Sequence, residues 1–170
     1  FITDSINTRI SAIKIWDIPD PYILYNDQVT VLQAFSVKMS TGFTGDLAHF
    51  LTHRNLGGGV ASLDALCRSN NARTGVTTAL SNTLLPFPTY SYNVFSLAHE
   101  LGHNFGSPHT HSCTWPGGAI DNCGSPEGTC PPGNAPVNGG TLMSYCQQTA
   151  YGVNLSNGFG PLPGALIRNK

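Results

Sequence analysis

Apolar residues recur along the first half of this chain in two rhythms, one of two residues and one of three to four. In "RISAIKIWDIP", β-branched and aromatic residues alternate with others, which predicts a strand running to Pro19. "NDQVTVLQAFSVKM" places Val29, Leu32, Phe35 and Met39 at helical spacing, with Asn26 or Asp27 as the N-cap. "DLAHFLTH" is short and mostly apolar and reads as a buried strand. "GGGVASLDALC" follows a glycine turn into a second extended segment, and "TGVTTALS" is a further strand. After Pro86 and Pro88, "YSYNVFSLAHELGHNFG" carries Val94, Phe95, Leu97, Ala98, Leu101 and Phe105 on a wide apolar stripe, with Asn93 as its expected cap. From Ser107 to Asn138 the chain is rich in Gly, Pro, Cys and Asn, without periodicity. The boundary falls at Gly106, giving a regular part, 1–106, and an irregular part, 107–170, of one domain.

Composition narrows the partners. At 170 residues the chain suits one domain able to bury a core. Only 10% of residues are charged, the net charge is −1 and no basic cluster exists. Nucleic acid and anionic membrane are therefore poor partners. No apolar run approaches the roughly 20 residues that cross a bilayer. The opening "FITDSINTRI" lacks the marks of a signal peptide and is expected to be a piece of a longer precursor. Of five cysteines, four lie between Cys113 and Cys146 with no C-x₂-C pair. Loop-rich sequence gains most from staples, so disulfides, an oxidising compartment and secretion are expected.

The chemistry concentrates in "SLAHELGHNFGSPHTHSC", residues 96–113. On a helix, His99 and His103 point the same way, and two imidazoles so placed can reach one metal ion. Glu100 lies one residue round, facing a metal-bound water without being a ligand. Gly106 lets the chain leave the helix sharply, so that His109 can return as a third ligand. Three histidines leave a fourth position of a tetrahedral Zn²⁺ open, the mark of a catalytic site. Zinc acidifies its water, Glu100 takes the proton as general base, and a polarised carbonyl is attacked: peptide-bond hydrolysis. His111 is the rival third ligand; the spacing from Gly106 favours His109 and leaves His111 at the surface or the cleft rim. His49 and His53 are four apart within a strand, too far separated for one ion, and read as structural.

H-E-L-G-H-N-F-G-S-P-H resembles the signature of the metzincin zinc peptidases, H-E-x-x-H-x-x-G-x-x-H followed by a Met-turn. "GGTLMSYC" supplies the second element, with Met143 as the hydrophobic floor under the metal by resemblance. Tyr145 matches a tyrosine that, in astacin- and serralysin-like members, lies near the metal and stabilises the oxyanion. Within the metzincins the chain is most similar to adamalysin (reprolysin)-like peptidases, particularly secreted bacterial ones. The resemblance implies an α+β fold: a twisted mixed sheet with packed helices, an irregular disulfide-stapled C-terminal subdomain, and a zinc cleft between them. It implies "IKIWDIPDP" as the second strand. It also makes the stretch around Gly59, Val60, Ala61 and Ser62 an edge to which an extended substrate adds as a strand. Two departures stand out: Thr110 follows the third histidine where many adamalysins carry Asp, and the family's opening strand and first helix are missing before Phe1.

The expected disulfides are Cys113–Cys146 and Cys123–Cys130, leaving Cys67 free or bonded to a partner outside this chain. Asp17, Asp20, Asp27, Asp121 and Glu127 are candidates for calcium, but their spacing matches no known loop and surface solvation is the default. The expected partners are a protein or peptide substrate and an inhibitory propeptide, with the chain a monomer. The alternatives are a pappalysin-like metzincin peptidase, a non-catalytic protein-binding module on the same scaffold, and a purely structural zinc site.

Overall fold

Asp27 starts the first helix. In the computed structural model, which describes residues 4–83 and 85–170, its carboxylate accepts from the N–H groups of Val29 (3.0 Å) and Thr30 (2.9 Å). These are two of the four donors that a helix start leaves unpaired. Helix α1 runs Gln28–Met39 and buries Val31 and Phe35, whereas Val29 is 47% exposed. The packed stripe is therefore Val31–Phe35, flanked by Leu32 and Met39. Val29 belongs to the first turn, where the cap points it outward.

Three short strands follow: β1 (Ala48–Leu51), β2 (Gly59–Ala61) and β3 (Thr74–Thr77). The sheet order is β1-β3-β2, with β1 parallel and β2 antiparallel to β3. All four residues of β3 are buried, as befits a central strand packed on both faces. Tyr22, Phe35 and Phe50 meet edge-to-face or tilted on one side of this sheet, the Tyr22 and Phe50 rings 4.9 Å apart. Trp16 closes the cluster against Phe50 at 5.8 Å.

The alternating segment before Pro19 is not the strand it was expected to be. Residues 6–16 carry no regular structure, and Ile10, Ile13, Ile15 and Ile18 are exposed. Alternation makes a strand only where a sheet edge receives its ladder bonds and a face receives its side chains. Between Arg9 and Pro19, Trp16 is the described residue packed against a core cluster, and Ser11 donates to the Thr44 carbonyl at 3.0 Å. Arg54 then ties down the next loop, pairing with Asp20 (3.1 Å) and donating to the carbonyls of Tyr22, Ile23 and Tyr25.

Helix α2 (Tyr92–Asn104) lies against β2 and β3. Its N-cap is Ser91, not Asn93. The Asn93 amide instead pairs with the backbone of Ser81, accepting at 2.8 Å and donating at 2.7 Å, so it pins a preceding loop to the helix. Val94, expected on the buried stripe, is 45% exposed. At the other end Asn104 donates to the carbonyls of Ser62 (2.8 Å) and Thr74 (3.0 Å), locking helix to sheet.

As far as residue 160 the second half carries only two short 3-10 turns, Cys146–Gln148 and Leu155–Asn157, among the described elements. It then forms helix α3 (Pro161–Arg168), an element its composition did not suggest. Pro161 is suited to the first helical position, where its missing N–H costs nothing. Ile167 joins Phe95, Phe105, Leu142, Met143, Leu155 and Phe159 in a second core shared by both halves of the chain.

The sulfurs pair differently from expectation, as Cys113–Cys130 and Cys123–Cys146. The backbone explains the crossed arrangement. Glu127 donates its N–H to the His111 carbonyl (3.0 Å) and accepts from Cys113 N–H (2.9 Å), which brings Cys130 round to Cys113. Cys123 is left for Cys146, just beyond the turn holding Met143. Cys67 is free and exposed, as expected. Among the described residues no helix is long and apolar enough to cross a membrane.

Candidate metal centre

His99 and His103 sit on one face of α2, and the end of that helix sets the third histidine. The chain leaves α2 in a Schellman motif: Gly106 N–H donates to the His103 carbonyl (2.8 Å) and Ser107 N–H to the Gly102 carbonyl (2.9 Å). Gly106 holds φ +98°, a conformation a side chain would strain. Two residues past Ser107, His109 returns, its Nε2 lying 3.0 Å from His103 Nε2. Ligand-capable atoms of His99, His103 and His109 all fall within 4.8 Å of one another.

What lies behind each ring fixes its tautomer. His99 Nδ1 donates to the Leu142 carbonyl at 2.6 Å, His103 Nδ1 to the Ser107 carbonyl at 2.8 Å, and His109 Nδ1 to Glu127 Oε1 at 2.7 Å. Carbonyl and carboxylate oxygens only accept, so each Nδ1 carries the proton and each Nε2 presents a lone pair to the shared space. Burial, and then the neighbouring imidazoles, hold His99 well below the ordinary histidine range; burial holds His103 at about 4. Neutral rings with opposed lone pairs 3.0 Å apart repel unless a cation sits between them. Three imidazole nitrogens and no thiolate suit Zn²⁺ among the common metals, so the residues fit the group.

Glu100 faces the same space, 5% exposed, and burial pushes its carboxyl up to about 8. Oε2 has no hydrogen-bond partner among the described residues. Strand β2 presses against it so closely that a Cβ on Gly59 would lie 2.3 Å from Glu100 Oε1. Met143 is fully buried, its sulfur packed where a Cβ on Gly102 would meet it at 2.3 Å. It therefore lies directly against α2 between the two helical histidines. Its carbonyl accepts from Thr110 N–H (3.0 Å) and Thr110 Oγ1 (3.3 Å), so the threonine that departs from the adamalysin pattern clamps the methionine turn. The Tyr145 ring lies 4.5 Å from the His109 ring and 5.9 Å from the His99 ring. Burial, then Glu127 and Glu100, raise its phenol, keeping the proton it would donate.

His99, His103, His109, Glu100 and Tyr145 line a cleft of about 340 Å³ together with Gly59, Val60, Ala61, Leu63, Pro108 and Glu127. Among the described residues strand β2 pairs only with β3, so its other side is an edge. Ser62 does not line the cleft; its N–H donates to Thr74 (3.1 Å) and its carbonyl accepts from Asn104. His111 is not at the rim as expected but 3% exposed, stacked on His109 at 4.9 Å and 9°. The irregular loop folds over it, and its Nε2 lies 3.4 Å from Glu127 Oε1, outside the trio. His49 stays apart in β1, bonded to Thr77 Oγ1 at 2.8 Å, and His53 bonds the Leu80 carbonyl at 2.7 Å. Asp20 and Asp27 are engaged with Arg54 and the α1 cap, and Asp121 accepts from Cys123 N–H at 3.1 Å.

Glu127 is the residue that sequence reasoning missed, having been assigned to solvent. One signal existed: the chain has only two glutamates, Glu100 and Glu127, and both border this cleft.

A reprolysin-type family model, described as Metallo-peptidase family M12, matches residues 1–156. That span carries the helix with its histidines, the return to His109 and the methionine turn, and it agrees with the mixed α+β fold and its two disulfides. The chain belongs to metallopeptidase family M12, as a reprolysin-like metzincin.

Proposed function

We propose that this chain is a zinc endopeptidase that hydrolyses internal peptide bonds of proteins, with Glu100 as general base. The observation that carries the reading is the arrangement of three Nε2 lone pairs, each fixed from behind, beside an enclosed carboxylate with an unpartnered oxygen. His99, His103 and His109 would hold the ion. Bound there, Zn²⁺ supplies Lewis acidity to the carbonyl and a water that loses its proton near neutral pH.

The rest belongs to the chain. Glu100 accepts the proton of the attacking water at Oε2 as the water oxygen bonds the carbonyl carbon; a cation held by the three histidines would favour its ionised form against the burial that raises its carboxyl. Glu100 returns that proton to the amide nitrogen as the C–N bond breaks, and the water's second proton passes from the new carboxyl group to the amine, so that a carboxylate and an ammonium leave. Tyr145 donates its O–H to the oxygen on which charge develops. Gly59, Val60 and Ala61 offer an edge to which the substrate backbone adds as a strand, aligning the scissile bond over the histidines. The two disulfides support a working place in an oxidising compartment outside the cytosol.

The test is cleavage of a mixed peptide library by the Zn²⁺-loaded chain, with and without a chelator. Chelator-sensitive cleavage at internal bonds is expected. A library left uncut by fully zinc-loaded protein would overturn the enzymatic reading and favour a binding module. Glu100→Gln is expected to lose turnover while zinc stays near one per chain, and retained turnover would remove Glu100 as the base.

A further inference from the structure

The three candidate ligands are not held alike. His99 and His103 lean on carbonyls, Leu142 and Ser107, which the backbone supplies regardless of side chain. His109 leans on a carboxylate from 18 residues further along an irregular segment. We infer that Glu127 is a positioning residue for His109, binding its Nδ1–H so that Nε2 stays aimed at the metal position, and that His111 holds Glu127 in place. This rests on the reading of His109 as a zinc ligand.

Three observations converge. Glu127 Oε1 is hydrogen-bonded to His109 Nδ1 at 2.7 Å and lies 3.4 Å from His111 Nε2, within ion-pair reach, so one oxygen faces both rings. His111 is buried and stacked parallel on His109, which leaves its Nε2 little choice of partner. The backbone of Glu127 is bonded on both sides, to His111 and to Cys113, and Cys113 is fixed to Cys130. The carboxylate is thus delivered by a stapled loop. A carboxylate behind a ligand imidazole raises the ring's basicity as well as fixing its orientation. Thr110, next to His109, spends its own polar atoms on the Met143 carbonyl and cannot take this part.

The role shows in metal affinity, apart from turnover. Zn²⁺ affinity is measured by competition with a chromophoric chelator for the wild-type chain, Glu127→Gln, Glu127→Ala and His111→Phe. The visible spectrum of each Co²⁺-loaded chain is recorded beside it. Losing a carboxylate of this kind costs roughly 10–100-fold in affinity. Glu127→Ala is expected in that range with shifted Co²⁺ bands, Glu127→Gln between it and wild type, and His111→Phe weaker than wild type but tighter than Glu127→Ala. Thermal unfolding of each metal-free variant separates misfolding from lost positioning, since half-exposed Glu127 supports little packing. Affinities within twofold of wild type for both Glu127 variants, with unshifted Co²⁺ bands, overturn the inference. A wild-type chain that binds no Zn²⁺ overturns instead the reading of the site itself.

Discussion

Gly59 and Glu100 meet at a distance that only hydrogen permits. A methyl group at residue 59 would overlap the Glu100 carboxylate, with its three nearest atoms between 2.3 and 2.7 Å away. Gly59→Ala is expected to displace that carboxylate and lower kcat by about 100-fold, since misplacement near 1 Å costs on that order. Zinc content should be unchanged, because no histidine is touched. A double-mutant cycle checks the cause: the substitution should lower the melting temperature in the wild-type chain but not in a Glu100→Ala background. An equal drop in both backgrounds would place the strain elsewhere. The residues nearest the metal position were legible in the sequence because they follow one helical repeat and one glycine. Glu127 and His111 were not, because their partners are set by an irregular loop, where no period relates position to direction.

Helices and strands were legible where burial and local preference agreed. Helix α1 has a capping aspartate and a packed face, and α2 a wide apolar stripe. The segment before Pro19 has the alternation of a strand but no ladder partner, and α3 has a proline start but a short, nearly uniformly apolar sequence. Each failed for want of information about neighbours. Helix α2 also carries a packing constraint on its inner face. A Cβ on Gly102 would meet Met143 Sδ at 2.3 Å and Phe159 Cε1 at 2.8 Å, both side chains being fully buried. Gly102→Ala is expected to destabilise the chain by about 1–3 kcal/mol, as overpacking does, despite alanine's better helix propensity. Chemical denaturation measures this, and a stabilised variant would contradict the fit of Met143 against the helix.

Buried histidines and crossed disulfides govern the molecule as a unit. Burial holds His49 at about 3 in the folded chain, against 6.5 when unfolded. Between those values the unfolded chain binds the additional proton, so stability falls as pH drops from about 6.5 towards 3. Denaturation midpoints of metal-free protein from pH 7 to 4 should decline less for His49→Gln, whose amide reaches Thr77 as Nε2 does, than for wild type. Parallel slopes would contradict the enclosure of this ring. Cys123–Cys146 links the irregular loop at Cys123 to the residue three beyond Met143, while Cys113–Cys130 fixes the loop bearing Glu127. Mild reduction is therefore expected to lower both the melting temperature and Zn²⁺ affinity, read by differential scanning calorimetry and chelator competition. Unaltered affinity after full reduction would show the site to be independent of its staples. Which cysteines pair was not legible, since four allow three schemes and the choice follows contacts around Glu127.

Strand β2 offers one free side, and on the proposed reading a polypeptide would have to lie straight along it to be cut. Helices and compact turns of a native target do not meet that demand. Cleavage in folded proteins would then concentrate in slack connecting segments and frayed ends, and local looseness of the victim would rank above the identity of its side chains.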